Sequence, residues 1–429
     1  MTNQKMIEQD LRYIFHPCSQ MKDYENNLPL IPIAKGKGAY LYDFDGNCYL
    51  DAISSWWVNL FGHANSKMNA KLKEQLDTLE HVIFAGFTHE PAVKLAKRLI
   101  QLAPKGLERV FFADNGSSAI EIALKMSFQY YKNKGEVRPL FISLENSYHG
   151  ETMGALAVGD VSLYKEVYRE ILIESLQAKS PALVGEEEAL DDMRRLLDEH
   201  RGRVASVIIE PLVQCAGGMA MYDASYITKL KELCLEFGVH LIADEIAVGF
   251  GRTGTMFACE QAGVSPDFLC LSKGITGGYL PLSTVLLTED IYSAFYCDYE
   301  SGKSFLDSHS YTGNTLACAA ANASLDIFEE ENILEKNRVL IEYIAKALEA
   351  IKMLPYVKEV RQRGMIAAIE LEGFAPSRRV NLEIYRYALS QGVLIRPLGS
   401  VIYIMPPYII TKQELDQIFS VIKRAIEKL

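Results

Sequence analysis

Short, uniformly apolar runs that stop at a charged or turn residue recur through the middle of the chain. Val239–Ala243 ends at Asp244, Phe268–Leu271 ends at Ser272-Lys273, and Val207–Ile209 ends at Glu210. Arg109–Ala113 and Phe141–Leu144 share this texture and lead into Asp114-Asn115-Gly116 and Asn146-Ser147-Tyr148. Such runs are too short and too evenly apolar for surface helices, and they suit strands buried on both faces of a parallel sheet. Helical patterns separate them across residues 66–315, the alternation of an α/β protein. One helix opens at Ser117-Ser118, where Ser118 and Glu121 match a capping box, and Ile120, Ala123, Leu124, Phe128 and Tyr131 then repeat at helical spacing. Glu186–Arg203 reads as a solvated helical face.

The pattern changes at both ends. Residues 1–65 read as short strands and turns, with a hairpin over Tyr40–Asp51 turning at Asp45-Gly46. From about residue 320 a long helical pattern runs to about 350; Met365–Leu371 and Gly392–Pro397 read as strands, and a final helix starts at the capping box Thr411-x-x-Glu414. The predicted organisation is a large domain with a mainly parallel sheet over 66–319. A smaller α+β domain is assembled from 1–65 and 320–429.

Open parallel sheets bind ligands at the carboxyl ends of their strands. Asp244 and Lys273 stand at two such ends, spaced for neighbouring strands joined by one helical crossover. A lysine amine can form a Schiff base with the aldehyde of pyridoxal phosphate, and an aspartate can keep the pyridine nitrogen protonated so that the ring acts as an electron sink. A partly buried ion pair is the plain alternative. The strand, glycine turn and serine-rich helix start at Arg109–Ser118 make an anion site, because free N–H groups and the helix dipole both favour a phosphate there; an ordinary capped helix is the alternative. Tyr148, at a strand end, is placed to stack on a flat ring or simply to pack. Trp56 and Trp57, the only tryptophans, sit side by side in a loop-like stretch and read either as a pocket wall or as core.

Composition narrows the classes. With 429 residues, 49% hydrophobic, the chain can bury a sizeable core. A net charge of −11 with no offsetting basic run argues against nucleic-acid or anionic-membrane partners. Eight scattered cysteines lack any Cys-x-x-Cys or zinc spacing, which points to free thiols in a reducing cytosol and to no metal site. The N-terminal ten residues have no apolar core of a leader, and no apolar run approaches the ~20 residues of a membrane span. Gly249-Phe-Gly251-Arg-Thr-Gly254 imitates a dinucleotide fingerprint, but the strand ends at Asp244, several residues too early. Gly302-Lys303-Ser304 lacks the first glycine of a P-loop, where Cys297 stands, and His89-Glu90 lacks the second histidine of a zinc helix, where Val93 stands.

Leu241–Gly254, with Asp244-Glu245 and Gly249-Phe-Gly-Arg-Thr-Gly254, followed by Leu271-Ser-Lys273-Gly274, resembles the signature of the class III aminotransferases, fold type I pyridoxal phosphate enzymes. Phe15-His16-Pro17, Ser54-Ser-Trp56-Trp57, Phe87-Thr-His89, Ser147-Tyr148-His149-Gly150, Glu210-Pro211 and Gly392–Tyr408 are similar to one branch of that family. That branch aminates 8-amino-7-oxononanoate in biotin biosynthesis. The resemblance covers nearly the whole chain. It implies Lys273 as Schiff-base lysine and proton shuttle, Asp244 at the pyridine nitrogen, Tyr148 on the ring, and Gly116 and Ser117 at the phosphate. Ser310 would reach the phosphate site of the partner across a homodimer with shared active sites. Trp56, Trp57, Tyr403 and Ser308 would face the small-molecule substrates, and Arg396 would bind a carboxylate, with Glu210 shielding it when the donor end is uncharged.

The chain departs from the family at Cys18, usually tyrosine, at Ser308-His309-Ser310, where Pro-Thr is common, and at Glu151, usually aspartate. Cys18 leaves the amino donor open between S-adenosylmethionine, the expectation, and lysine. An ω-amino acid or diamine:pyruvate transaminase is the competing activity, and a nucleotide-binding protein using Gly249–Gly254 the competing class.

Overall fold

A computed structural model describes residues 2–429; Met1 lies outside the described residues. The chain divides into two compact units, one from the N-terminus through Asn69 plus Glu335–Leu429, the other Ala70–Leu334.

The second unit is built on a seven-stranded sheet. In spatial order its strands are Leu107–Ala113, Ser283–Thr288, Phe268–Leu271, His240–Asp244, Val204–Ile209, Leu140–Leu144 and Leu176–Ala178. All neighbours from Phe268–Leu271 onward pair in parallel, and only Ser283–Thr288 runs against its neighbours. Every residue of Leu140–Leu144, Val204–Ile209, His240–Asp244 and Phe268–Leu271 is buried. That is why these runs lack the in-out alternation of a half-exposed strand. Asp244 pairs in register with Cys270, so the strands carrying Asp244 and Lys273 are indeed neighbours.

Their connection is not an α-helix. Residues 245–267 run through turns and one 3-10 helix, Ala258–Ala262. Phe250, Gly251 and Gly254 have φ of 56°, 88° and 105°. Left-handed residues cannot continue a right-handed helix, so the glycine-rich stretch folds as a loop. The buried carboxylate of Glu245 fastens it, accepting the N–H groups of Ala258 (2.6 Å) and Cys259 (2.8 Å).

The helix after the glycine turn spans Gly116–Asn133. Its cap is Asn115, extended at φ −149° and accepting the Ser118 N–H, so the expected Ser118–Glu121 box is corrected. Asparagine is as good a cap as serine and stands one turn earlier. Glu121 instead accepts the N–H groups of Gly154 (2.6 Å) and Ala155 (3.2 Å), at the start of helix Met153–Val158. Ala119, Ile120, Ile122, Ala123 and Leu124 pack into one core with Ile208, Ile242, Phe268 and Val285. Each fully buried Ile or Leu side chain contributes about 1.5–3 kcal/mol, which clamps the helix to the sheet.

In the first unit, Ile33–Lys37, Tyr40–Asp43 and Cys48–Asp51 form an antiparallel meander, with the expected turn at Gly46 (φ 91°). Val393–Leu394 joins it in parallel, Leu394 opposite Asp51. A separate sheet pairs Val357–Arg363, Ile366–Leu371 and Val401–Ile404. The final helix, Lys412–Glu427, has the Thr411–Glu414 box. The helix Asn3–Tyr13 departs from the strands and turns expected over 1–65: Met6, Ile7 and Leu11 keep a helical spacing but none is fully buried, and Thr2 and the Asn3–Asp43 bond (2.9 Å) hold its start. The helical pattern near 320–350 is two helices, Thr315–Glu330, inside the second unit, and Ile333–Ile351. Among the described residues no helix is long and apolar enough to cross a membrane, and no three His, Cys, Asp or Glu cluster as metal ligands.

Candidate active site

Three strand ends of the second unit carry the charged residues that stop the apolar runs. Asp244 is the last residue of its strand and is buried. Its Oδ2 lies 2.7 Å from Nδ1 of His149, and Oδ1 accepts the Ile246 N–H at 3.1 Å. An N–H on Nδ1 is the only arrangement that satisfies a carboxylate at this distance. His149 is also buried, and its Nε2 has no hydrogen-bond partner in the structure. The sequence singles out no role for His149; its place beside the strand-end aromatic Tyr148 is its one signal.

Lys273 follows its strand by two residues, with φ of 42°. A left-handed lysine is a strained residue, of the kind found where a side chain must be aimed. Desolvation pulls its pKa below the usual lysine value, against the opposing charges of Cys215, Asp244 and Glu210. Some of its surface remains accessible, so it is desolvated without being sealed off.

Glu210 directly follows the third strand, Val204–Ile209. Its Oε1 accepts the Tyr148 N–H (2.9 Å) and its Oε2 the Cys215 N–H (3.0 Å). Burial, with Asp244 adding to it, pushes this carboxyl up to about 7. Both oxygens are thus held by backbone N–H groups within the unit. By holding the Tyr148 N–H, Glu210 fixes the backbone that carries the Tyr148 ring. That ring is half-buried, stands edge-on to Tyr164 at 5.3 Å, and sends its hydroxyl to Glu151 at 3.0 Å.

Gly116 and Ser117 form the first turn of their helix, where backbone N–H groups have no intrahelical acceptor. Ser117 Oγ accepts the Glu151 N–H at 3.0 Å. A Cβ on Gly150 (φ 125°) would stand 1.9 Å from that oxygen, so only glycine lets the Tyr148–Glu151 segment come this close. Ser308 and Ser310 are exposed in the same unit. The Ser310 carbonyl takes a bond from His81 at 2.8 Å, and Nδ1 of neighbouring His309 is 3.6 Å from Asp114. The donor set fits pyridoxal phosphate: a desolvated lysine, a buried carboxylate locked by an imidazole, an aromatic beside them, and a capped helix start with a hydroxyl for the phosphate.

The first unit assembles a second set. Ser54, Ser55, Trp56 and Trp57 have φ of 50°, 46°, 74° and 74°, a left-handed helical turn with no glycine. Left-handed helical residues cost roughly 1–2 kcal/mol each, so the turn persists only because neighbours over-determine it. Trp57 donates its indole N–H to Tyr403 Oη at 3.2 Å, and both side chains are buried. Trp56 is 40% exposed, and Cζ of Arg396 lies 4.7 Å from its ring. Arg396 also donates to the Cys18 carbonyl at 3.4 Å. Of the three expected wall residues, therefore, Trp56 presents surface, beside Arg396, whereas Trp57 and Tyr403 are buried.

The sequence model of class-III aminotransferases matches residues 21–426. A Helicobacter pylori protein named adenosylmethionine-8-amino-7-oxononanoate aminotransferase is 50% identical over 98% of this chain and 97% of its own. The protein of that name from Geobacter sulfurreducens is 42% identical over 99% and 97%. The crystal structure of the Methanocaldococcus jannaschii protein of the same name superposes with a TM-score of 0.96 at 38% identity, covering 99% of both chains. A transaminase from a marine Virgibacillus gives 0.92 at 28% identity, covering 99% and 98%.

Proposed function

The chain belongs to the class-III aminotransferases, pyridoxal-phosphate-dependent enzymes of fold type I, and from that premise we propose that it carries an amino group from S-adenosylmethionine to 8-amino-7-oxononanoate, giving 7,8-diaminononanoate for biotin. The observation that carries the reading is full-length identity of up to 50% to relatives of that name, together with an arginine on an aromatic platform in the first unit.

When bound, pyridoxal phosphate supplies the electron sink for the carbanion of transamination. Lys273 would be the carrier amine and would move the proton between the two carbons concerned; its lowered pKa favours the neutral, basic amine. Asp244, oriented by His149 and the Ile246 N–H, holds a proton at the pyridine nitrogen. Tyr148 would cover the ring, and Gly116 and Ser117 would hold the phosphate. Arg396 grips the substrate carboxylate through its planar fork while Trp56 backs its face. Ser308 lines the substrate entrance. The working form is a homodimer in which Ser310 of one chain serves the phosphate site of its partner. Ile83, Phe87, Leu306 and Tyr311, all largely exposed in the second unit, support such a covered face. Eight free cysteines support a reducing, cytoplasmic setting.

The test is a donor and acceptor screen read by product mass. Adenosylmethionine with 8-amino-7-oxononanoate should be the fastest pair. Faster turnover with lysine would change the donor; faster turnover of ω-amines onto pyruvate would replace the reading with an ω-transaminase.

A further inference from the structure

Asp51 ends the strand Cys48–Asp51 and is fully buried. Its carboxylate meets four donors. Oδ1 accepts the N–H groups of Ile53 (3.3 Å) and Ser55 (3.0 Å), and Oδ2 accepts the Ser55 hydroxyl (2.7 Å) and His63 Nε2–H (3.0 Å). Asn59 donates to His63 Nδ1 at 3.0 Å, which leaves the neutral ring's proton on Nε2, aimed at Asp51. Four donors fill the lone pairs of a carboxylate. Two of the four come from Ser55, inside the left-handed turn. Ser54 is held as well, its hydroxyl on the Met405 carbonyl at 2.7 Å.

We propose that Asp51 is a positioning residue for the carboxylate site: it holds Ser54–Trp57 in the left-handed turn that sets Trp56 against Arg396. The inference rests on the reading of Arg396 as the carboxylate grip and adds what aims it. The hand of the turn decides the direction of the side chain at 56, because reversing it swings Cβ to the other side of the backbone. The same strand ties both ends of the device together. Leu394, two residues before Arg396, lies opposite Asp51 in parallel register, and the Ala52 N–H bonds the Leu394 carbonyl at 3.1 Å. Asp51 thus lies in the strand that pairs with Val393–Leu394, the segment leading into Arg396, while its side chain fixes the turn bearing Trp56. An ordinary core carboxylate would have no reason to hold a glycine-free turn in this conformation beside an exposed tryptophan.

The test uses the holoenzyme. Asp51→Asn keeps one acceptor oxygen but turns an amide donor toward the Ser55 hydroxyl and the His63 N–H. It should raise KM for the keto acid about tenfold, the scale of a lost charge-assisted hydrogen bond, with kcat and cofactor content within about twofold of wild type. KM for the methyl ester of the same acceptor should not move, since the ester has no carboxylate to grip. Trp56 and Trp57 are the only tryptophans, so intrinsic fluorescence reads the turn directly, and its emission maximum should shift. Adding Ser55→Gly to Asp51→Asn should recover part of both changes, because glycine accepts the left-handed conformation without help. Should Asp51→Asn fail to fold, Ser55→Ala, which loses only the hydroxyl bond, should move acid KM and emission in the same direction by less. Equal KM changes for acid and ester, or an unchanged emission maximum with unchanged acid KM, would overturn the proposal. If the wild type prefers another keto acid, that acid and its ester replace the pair. The substrate reading then fails while the positioning claim is still decided.

Discussion

In the second unit, Asp244, Glu210 and Lys273 are carried by regular strands whose sequences are plain apolar runs. In the first unit, Trp56 is carried by four left-handed residues, none of them glycine. The two regions solve placement differently. Strand ends place a charge by burying everything before it, and the cost is desolvation: Lys273 is pulled down and Glu210 pushed up to about 7. The turn places an exposed ring by stored backbone strain, and its cost is met by bonds from Asp51, Met405 and Tyr403. Displaced titrations therefore mark the strand-end residues of the second unit, and strained backbone marks the turn of the first.

The largest effect expected is Lys273→Ala. Turnover should fall below detection with the fold intact, and the melting temperature of the cofactor-free protein should not drop, because removing a desolvated polar amine relieves a burial cost. Residual steady-state turnover would remove Lys273 from the chemistry. Next comes Asp244→Asn. His149 can still donate to the amide oxygen, so cofactor content should hold, while single-turnover rates fall on the order of a hundredfold, as when one preorganised electrostatic group is lost. Rates within a few-fold of wild type would deny Asp244 its role at the ring nitrogen.

Arg396→Ala moves to the other region and should act on affinity rather than chemistry. Truncating one partner of a charge-assisted pair costs about 2–5 kcal/mol, so keto-acid binding should weaken roughly 30-fold or more. Unchanged binding by titration would mean that another residue reads the carboxylate.

The smallest effect concerns pH. Burial raises the Glu210 carboxyl from 4.5 to about 7, so the folded protein holds that proton more tightly than the unfolded chain. Its contribution to stability is fully present below pH about 4.5 and is lost as pH rises through about 7. Glu210→Gln should make the decline of melting temperature across that window shallower, not flat, because Glu245 is likewise pushed up to about 7 and remains. An identical slope in variant and wild type would show that Glu210 is not the titrating group.

The second unit was the more legible. Asp244 and Lys273 stand out because full burial forbids charges in the runs before them, and their strands proved to be neighbours. The crossover between them was misread as helical because glycine spacing does not reveal that Phe250 also turns left-handed. The helix start at Gly116 was located to within a turn, but Ser118–Glu121 imitated a box while Glu121 served a different helix. The first unit hid more. Ser-Ser-Trp-Trp has none of the glycine or asparagine that marks left-handed backbone, and Asp51 reads as the polar end of a hairpin strand. Its partner His63 follows twelve residues later with nothing local to link them. The helix Asn3–Tyr13 carries only a short apolar stripe, Met6, Ile7 and Leu11, among charged residues, a weak signal beside the strand-like texture that follows.

The most direct test of the central claim, that the strand-end site of the second unit carries the cofactor on Lys273, is borohydride reduction of the pyridoxal-phosphate-loaded protein. Reduction fixes the cofactor to the amine that holds it, and peptide mapping reads which amine that is. The account predicts one labelled peptide, the one containing Leu271-Ser-Lys273-Gly274. Label on any other lysine, with that peptide unmodified, would contradict it.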